Sequence, residues 1–139
     1  MMALAHRDPD KVAESEKITI NLGFVDLGRI DLMVSEGFYS NRTDFIRTAI
    51  RNQLERHAEV VTRSLARNDL DLGLRHFTRQ ELEGAVEANH ALQIHVLGLA
   101  SIAQDVSPEL ARASIASVRV LGAFHASSEV KAALADRMG

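Results

Sequence analysis

Lys17, Thr19 and Asn21 stand at alternate positions of the stretch EKITINL (16–22), with Ile18, Ile20 and Leu22 as the other set. Period-two alternation is the pattern of a half-buried strand, with one set of side chains turned to a core and the other turned out. The outward set is an ammonium donor, a hydroxyl that donates and accepts, and an amide that does both. That is hydrogen-bonding chemistry, suited to a polar surface and not to covalent catalysis. A second group follows at Ser40, Asn41 and Arg42, where a helix begins. The free N–H groups of a first helical turn sit at the positive end of the helix and can clamp an anion.

Six histidines raise the question of a metal. His76, His90, His95 and His125 are the candidate ligands, but there is no His-x-His pair and no Cys, so the expected cofactor and metal complement is none. His95 and His125 fall on the odd-numbered face of their strands, beside Gln93 and Arg119, where a solvent-side histidine is the ordinary reading. Catalysis has no support either. The chain lacks a Cys nucleophile and a recognisable Ser/His/Asp motif, and GRID and VLG are not phosphate-binding loops. The expectation is a protein that is not an enzyme.

The elements that must position these groups can be read in order. Residues 1–15 are polar, charged and contain Pro9, which reads as a flexible arm and not as a secretory signal. After the strand, FVDLGRIDLMVSEG reads as a short helix capped by Asp26, with Ile30, Met33 and Val34 on one face and Gly37 ending it, Phe38 just beyond. FYSNRTDFIRTAIRNQLERHAEVVTRSLAR is the strongest helical signal, apolar at Phe45, Ile46, Ala49, Ile50, Leu54, Ala58, Val61 and Leu65. NDLDLGLRHF breaks the periodicity with Gly73 and reads as a connection, 67–77. Beyond it, TRQE opens a helix with a capping box. LQIHVLGLASIA (92–103) and SVRVLGAFH (117–125) read as strands, each followed by a helix, SPEL and SSEVKAALADRM. IHVLGLAS and VRVLGAFH share V-L-G at a 24-residue offset, a weak repeat that gives a β-α-β-α module.

Composition sets bounds on partners. The chain has 139 residues, 16 basic against 19 acidic, and a formal net charge of −3, which argues against nucleic-acid binding through bulk positive charge. No apolar run approaches the roughly 18 residues of a membrane span. The first fifty-odd residues supply too little material to bury their own apolar faces. The arithmetic improves when two chains interlock, with the two EKITINL strands pairing antiparallel across a two-fold axis. Ile18, Ile20, Leu22, Ile30, Phe45, Ile46 and Ile50 are then the dimer core, and the chain is an obligate homodimer with no stable folded monomer.

KITINL, then DLGRIDLMV, then GFYSNRTDFIRTAIRNQL, resembles the ribbon-helix-helix family of transcription factors in its CopG/Arc/MetJ branch, over residues 16–66. The resemblance implies a two-stranded ribbon lying in the major groove of double-stranded DNA. Lys17, Thr19 and Asn21 would be its base-contacting residues, with Ser40, Asn41 and Arg42 on phosphates. It also implies a bacterial, cytoplasmic, nucleoid-associated regulator, most often a repressor. The expected fold class is therefore α+β: an N-terminal ribbon-helix-helix dimer followed by a small β-α-β-α module. Residues 78–139 resemble no family and are assigned to higher oligomerisation, or to binding an effector or protein partner. The odd face of that module holds Leu97, Leu99, Leu121 and Ala123, which suits a dimer–dimer contact. One alternative is an antitoxin-type interaction protein whose second half grips a partner; another is a metal-responsive regulator, as the nickel-sensing members of the family are.

Overall fold

The computed structural model describes residues 15–139. All of the N-terminal arm except Ser15 lies outside the described residues. The described chain divides into two compact units, Glu16–Ser64 and Leu65–Gly139.

In the first unit, residues 16–22 form no strand within the single chain. A strand exists only where another chain segment supplies its ladder, and no described segment does so here. Helix α1, Phe24–Ser35, starts earlier than the sequence suggests: Gly23 is the N-cap and Asp26 lies inside the first turn. There its carboxylate complements the helix dipole instead of capping. The C-terminal end follows the expected chemistry. Gly37 has φ +85°, its N–H donates to the carbonyl of Val34, and the N–H of Phe38 donates to that of Met33. Those two bonds make a Schellman turn.

Helix α2 spans Arg42–Arg56 and α3 Ala58–Asn68, so the long helical signal is two helices, broken at His57. The period continues across the break because apolar spacing reports a face, not an uninterrupted hydrogen-bond ladder. Only Ile30 is buried in this unit.

The second unit contains strands β1 (Asp71–Phe77), β2 (Leu92–Ile102) and β3 (Ile115–His125), alternating with helices α4 (Arg79–Glu87), α5 (Pro108–Ser114) and α6 (Ser128–Ala133). A 3-10 turn, Ala135–Arg137, follows α6, and Met138 then bridges to Val118. The strands form one parallel sheet in the order β1-β2-β3. The segment taken as a connection, 67–77, is thus partly a sheet strand, and the module has three β-α units instead of two. Its Asp71 and Arg75 disguise an edge strand as a loop, because edges carry charges that central strands cannot.

The three units share one construction. Each helix starts on a hydroxyl cap: Thr78 accepts from the N–H of Glu81 at 3.2 Å, Ser107 from Leu110 at 3.1 Å and Ser127 from Val130 at 3.1 Å. Each strand carries a glycine in register with the next, Gly73 beside Gly98 beside Gly122. Their φ angles are +127°, +140° and +122°. A Cβ on Gly98 would lie 2.2 Å from the carbonyl oxygen of Gly73, and one on Gly122 would lie 2.0 Å from that of Gly98. No side chain fits there, and the left-handed φ adds its own penalty. Phe77, Leu82, Ile94, Val96, Ala100, Ile102, Val118, Val130 and Leu134 close a core between sheet and helices. Arg137 ties off the end by donating to the carbonyls of Arg112 and Ile115.

Candidate nucleic-acid interface

The hydrogen-bonding row lies on an open segment. Lys17, Thr19 and Asn21 are exposed, as are their neighbours Ile18 at 73%, Ile20 at 57% and Leu22 at 40%. Three large aliphatic side chains left in water at every second position have no place in the chain's own core. Full burial of each would be worth roughly 1.5–3 kcal/mol. In α1, Phe24 and Leu32 are exposed as well, and Ile50 and Leu54 likewise in α2. Ile30 is buried, while Phe45 and Ile46 are half-buried. Phe45 meets the edge of Tyr39 at 4.9 Å between ring centroids.

The second group is built around the start of α2. Asn41 is the N-cap, and its Oδ1 accepts from the N–H of Asp44 at 2.8 Å. The Asp44 carboxylate reaches back and accepts from the N–H of Ser40 at 2.9 Å. This is a variant of the reciprocal capping box, made here from Asn and Asp, in which the acid reaches one residue beyond the N-cap to Ser40. The Ser40 N–H, expected to be free, is therefore bonded within the chain. Arg42 is engaged too: its Nε donates to Asp31 Oδ1 at 2.7 Å and its Nη2 to Oδ2 at 2.8 Å. That bidentate pair joins α1 to the first turn of α2, and hydrogen bonding to Arg42 holds the Asp31 carboxyl below the usual carboxylate range. Sequence reading missed Asp31, which lies eleven residues from its partner; a lone acid in a helical DLMVS stretch gives no local sign of it. The guanidinium retains three further N–H donors. On the remainder of α2, Arg47, Arg51 and Arg56 are exposed.

The histidines do not converge. His76 and His125 occupy the same cross-strand row on either side of Ser101, and His76 Nδ1 lies 2.7 Å from Ser101 Oγ. His95 Nε2 is 3.0 Å from Ser117 Oγ, while its Nδ1 is buried with no hydrogen-bond partner. His90 lies beyond the end of α4. Among the described residues no three His, Cys, Asp or Glu side chains are grouped to hold a metal ion.

A short segment of alternating apolar and polar side chains, two helices joined through a Schellman turn, and an unburied apolar surface define a recognisable unit. The model of the ribbon-helix-helix transcriptional regulator family matches residues 13–131. The chain belongs to that family. The match extends through β1, β2 and β3, so the second unit is part of the family's pattern and not an unrelated appendage. Comparison with curated proteins and with solved structures finds no match. Ribbon-helix-helix regulators bind DNA as dimers, and the exposed apolar surface of residues 16–64 fits that requirement. Among the described residues no helix is long and apolar enough to cross a membrane.

Proposed function

We propose that the protein is a cytoplasmic, bacterial repressor that reads the major groove of double-stranded DNA with an antiparallel ribbon made from residues 16–22 of two chains. The observation that carries this reading is the exposure of Ile18, Ile20 and Leu22 beside a segment with no ladder partner of its own. A second copy supplies both deficits together. It offers backbone groups for the ladder, and Ile30, Phe45, Ile46 and Ile50 complete the core under it. Burial of the three aliphatics turns Lys17, Thr19 and Asn21 outward, a width of ribbon that the major groove admits. Lys17 donates to guanine O6 or N7, Asn21 makes paired bonds to adenine, and Thr19 bonds or touches a thymine methyl.

Ser40, Asn41 and Arg42 set the ribbon's register on the backbone. Arg42 does so with the donors left over from Asp31, and the Ser40 N–H by exchanging the Asp44 carboxylate for phosphate. The antitoxin reading is disfavoured by a second unit that closes its own core and caps each helix, since a partner-gripping tail needs no such core.

The test is binding to the protein's own promoter fragment, with Lys17→Ala and Asn21→Ala as probes and salt held fixed. Each variant is expected to remain dimeric and to lose sequence preference worth about 1–3 kcal/mol per base contact. Unchanged preference in both would sink the ribbon assignment.

A further inference from the structure

Helices α4, α5 and α6 cover one side of the three-stranded sheet, where Phe77, Ile94, Val96, Ala100, Ile102 and Val118 point into the core. The alternate positions face the other way. There the register stacks Leu72 beside Leu97 beside Leu121, and Leu74 beside Leu99 beside Ala123. Leu72 is 70% exposed, Leu74 58% and Leu121 49%, while Leu97 and Ala123 are half-buried and Leu99 is buried between its neighbours. Parallel sheets built from β-α units ordinarily have both faces covered. On the face away from these helices this one carries an apolar band whose edge-strand leucines, Leu72, Leu74 and Leu121, are exposed.

We propose that this band docks against the same band of a second copy of the chain, forming a contact separate from the ribbon. Three observations select a second copy over other occupants. First, the six positions of the band carry no ionisable group. The rows on either side, His76–Ser101–His125 and His95–Arg119, contribute no acid, and Arg119 is already bonded to Asn68 at 3.1 Å. A partner recognised by charge finds nothing to match within the band. Second, each strand contributes the same L-G-[LA] triplet in register, so the face is alike from edge to edge. A two-fold axis can lay leucine against leucine, as an isologous contact requires. Third, the family binds DNA as dimers, so each particle already holds two such faces. Tethering raises their local concentration to the order of mM. The inference rests on family membership for that last step and is independent of which bases the ribbon reads.

The chain has no cysteine, so single-cysteine variants report one position each. Leu97→Cys sits on the central strand, close to where a two-fold axis through the band would pass. Glu87→Cys on the exposed side of α4 is the control. Under mild oxidation of the full-length protein, Leu97→Cys is expected to form cross-linked dimer at least about tenfold faster than the control. Adding Leu72→Asp should bring that rate down to the control's, with the circular-dichroism spectrum and promoter binding retained. Equal rates for Leu97→Cys and Glu87→Cys would overturn the proposal, as would a cross-linking rate unmoved by Leu72→Asp. Failure of the ribbon reading looks different: promoter preference survives Lys17→Ala and Asn21→Ala whatever the cross-linking rate.

Discussion

Between Glu16 and Ser64 the only buried side chain is Ile30, whereas between Leu65 and Gly139 a core runs from Phe77 through Ile94 and Val118 to Leu134. The two units are comparably rich in apolar residues, so composition does not explain the difference. Topology does. Three parallel strands laid side by side present a continuous face on which three short helices can close. Helices α1 and α2, the start of α3 and a lone segment enclose almost nothing and leave Ile18, Ile20, Phe24 and Leu54 in water. One unit closes a core of its own; the other leaves most of its apolar side chains open. On the proposed ribbon reading, DNA recognition is conditional on dimerisation, because the reading surface and the dimer ladder would be the same seven residues.

The sharpest attempt to break that contrast is Ile20→Asp. An unpaired carboxylate in the dimer core costs several kcal/mol, more than a marginal interface tolerates. The expected outcome is loss of the dimer by sedimentation, loss of promoter binding, and survival of a protease-resistant fragment containing β1 to α6. If dimer and DNA binding persisted, residues 16–22 would not be the shared strand.

Gly98→Ala attacks the opposite unit. Its Cβ meets the Gly73 carbonyl at 2.2 Å, and φ is +140°. Strained backbone and a hard clash together are expected to destabilise the second unit by about 3 kcal/mol or more. Thermal unfolding should show that unit melting earlier, with proteolysis reaching β2 and β3. A melt indistinguishable from the parent's would mean that the glycine row is not a constraint.

Smaller effects refine the comparison within the first unit. Asn41→Ala removes the cap that holds Asp44 and is expected to cost about 1 kcal/mol. The loss should appear in urea unfolding as a shifted midpoint with unchanged slope. The smallest change is expected from Asp31→Asn, since the Asp31–Arg42 pair is exposed and screened by salt. Its signature is the pH dependence. The folded-state pKa of Asp31 is lowered, chiefly by its hydrogen bond to Arg42, so the pair stabilises above the usual carboxylate range and ceases to do so as pH falls through the folded value. Parent and variant should therefore differ at neutral pH and converge in acid; a gap that widened on acidification would reverse this assignment.

Part of the first unit's local structure was legible in the residues themselves. Alternation in EKITINL separates a polar row from an apolar one. Ser40 and Asn41 are both candidates for a helix cap, which Asn41 makes, and Gly37 marks its turn through local hydrogen-bond chemistry that depends on nearest neighbours alone. The same holds for Thr78, Ser107 and Ser127, each of which caps the helix foreseen from its own few residues. DLGLRHF was another matter. Its charges suggest a loop, and it becomes a strand because β2 offers it a ladder in register. Asp31 could not be matched to Arg42 for a related reason, as their meeting depends on the angle at which one helix leaves the turn before the next.

The sequence by itself therefore determined the periodicities, the caps of the second unit's helices and the family to which the chain belongs, because these are carried by short-range backbone chemistry and by spacing along the chain. Only the tertiary structure decided that Leu72-Gly73 of β1 stands in register with the L-G pairs of β2 and β3, that Gly98 and Gly122 must stay bare, and that Ser40 and Arg42 already hold carboxylates. Each of these depends on which strands and helices become neighbours in space, and burial and register between distant segments are settled only when the whole unit closes.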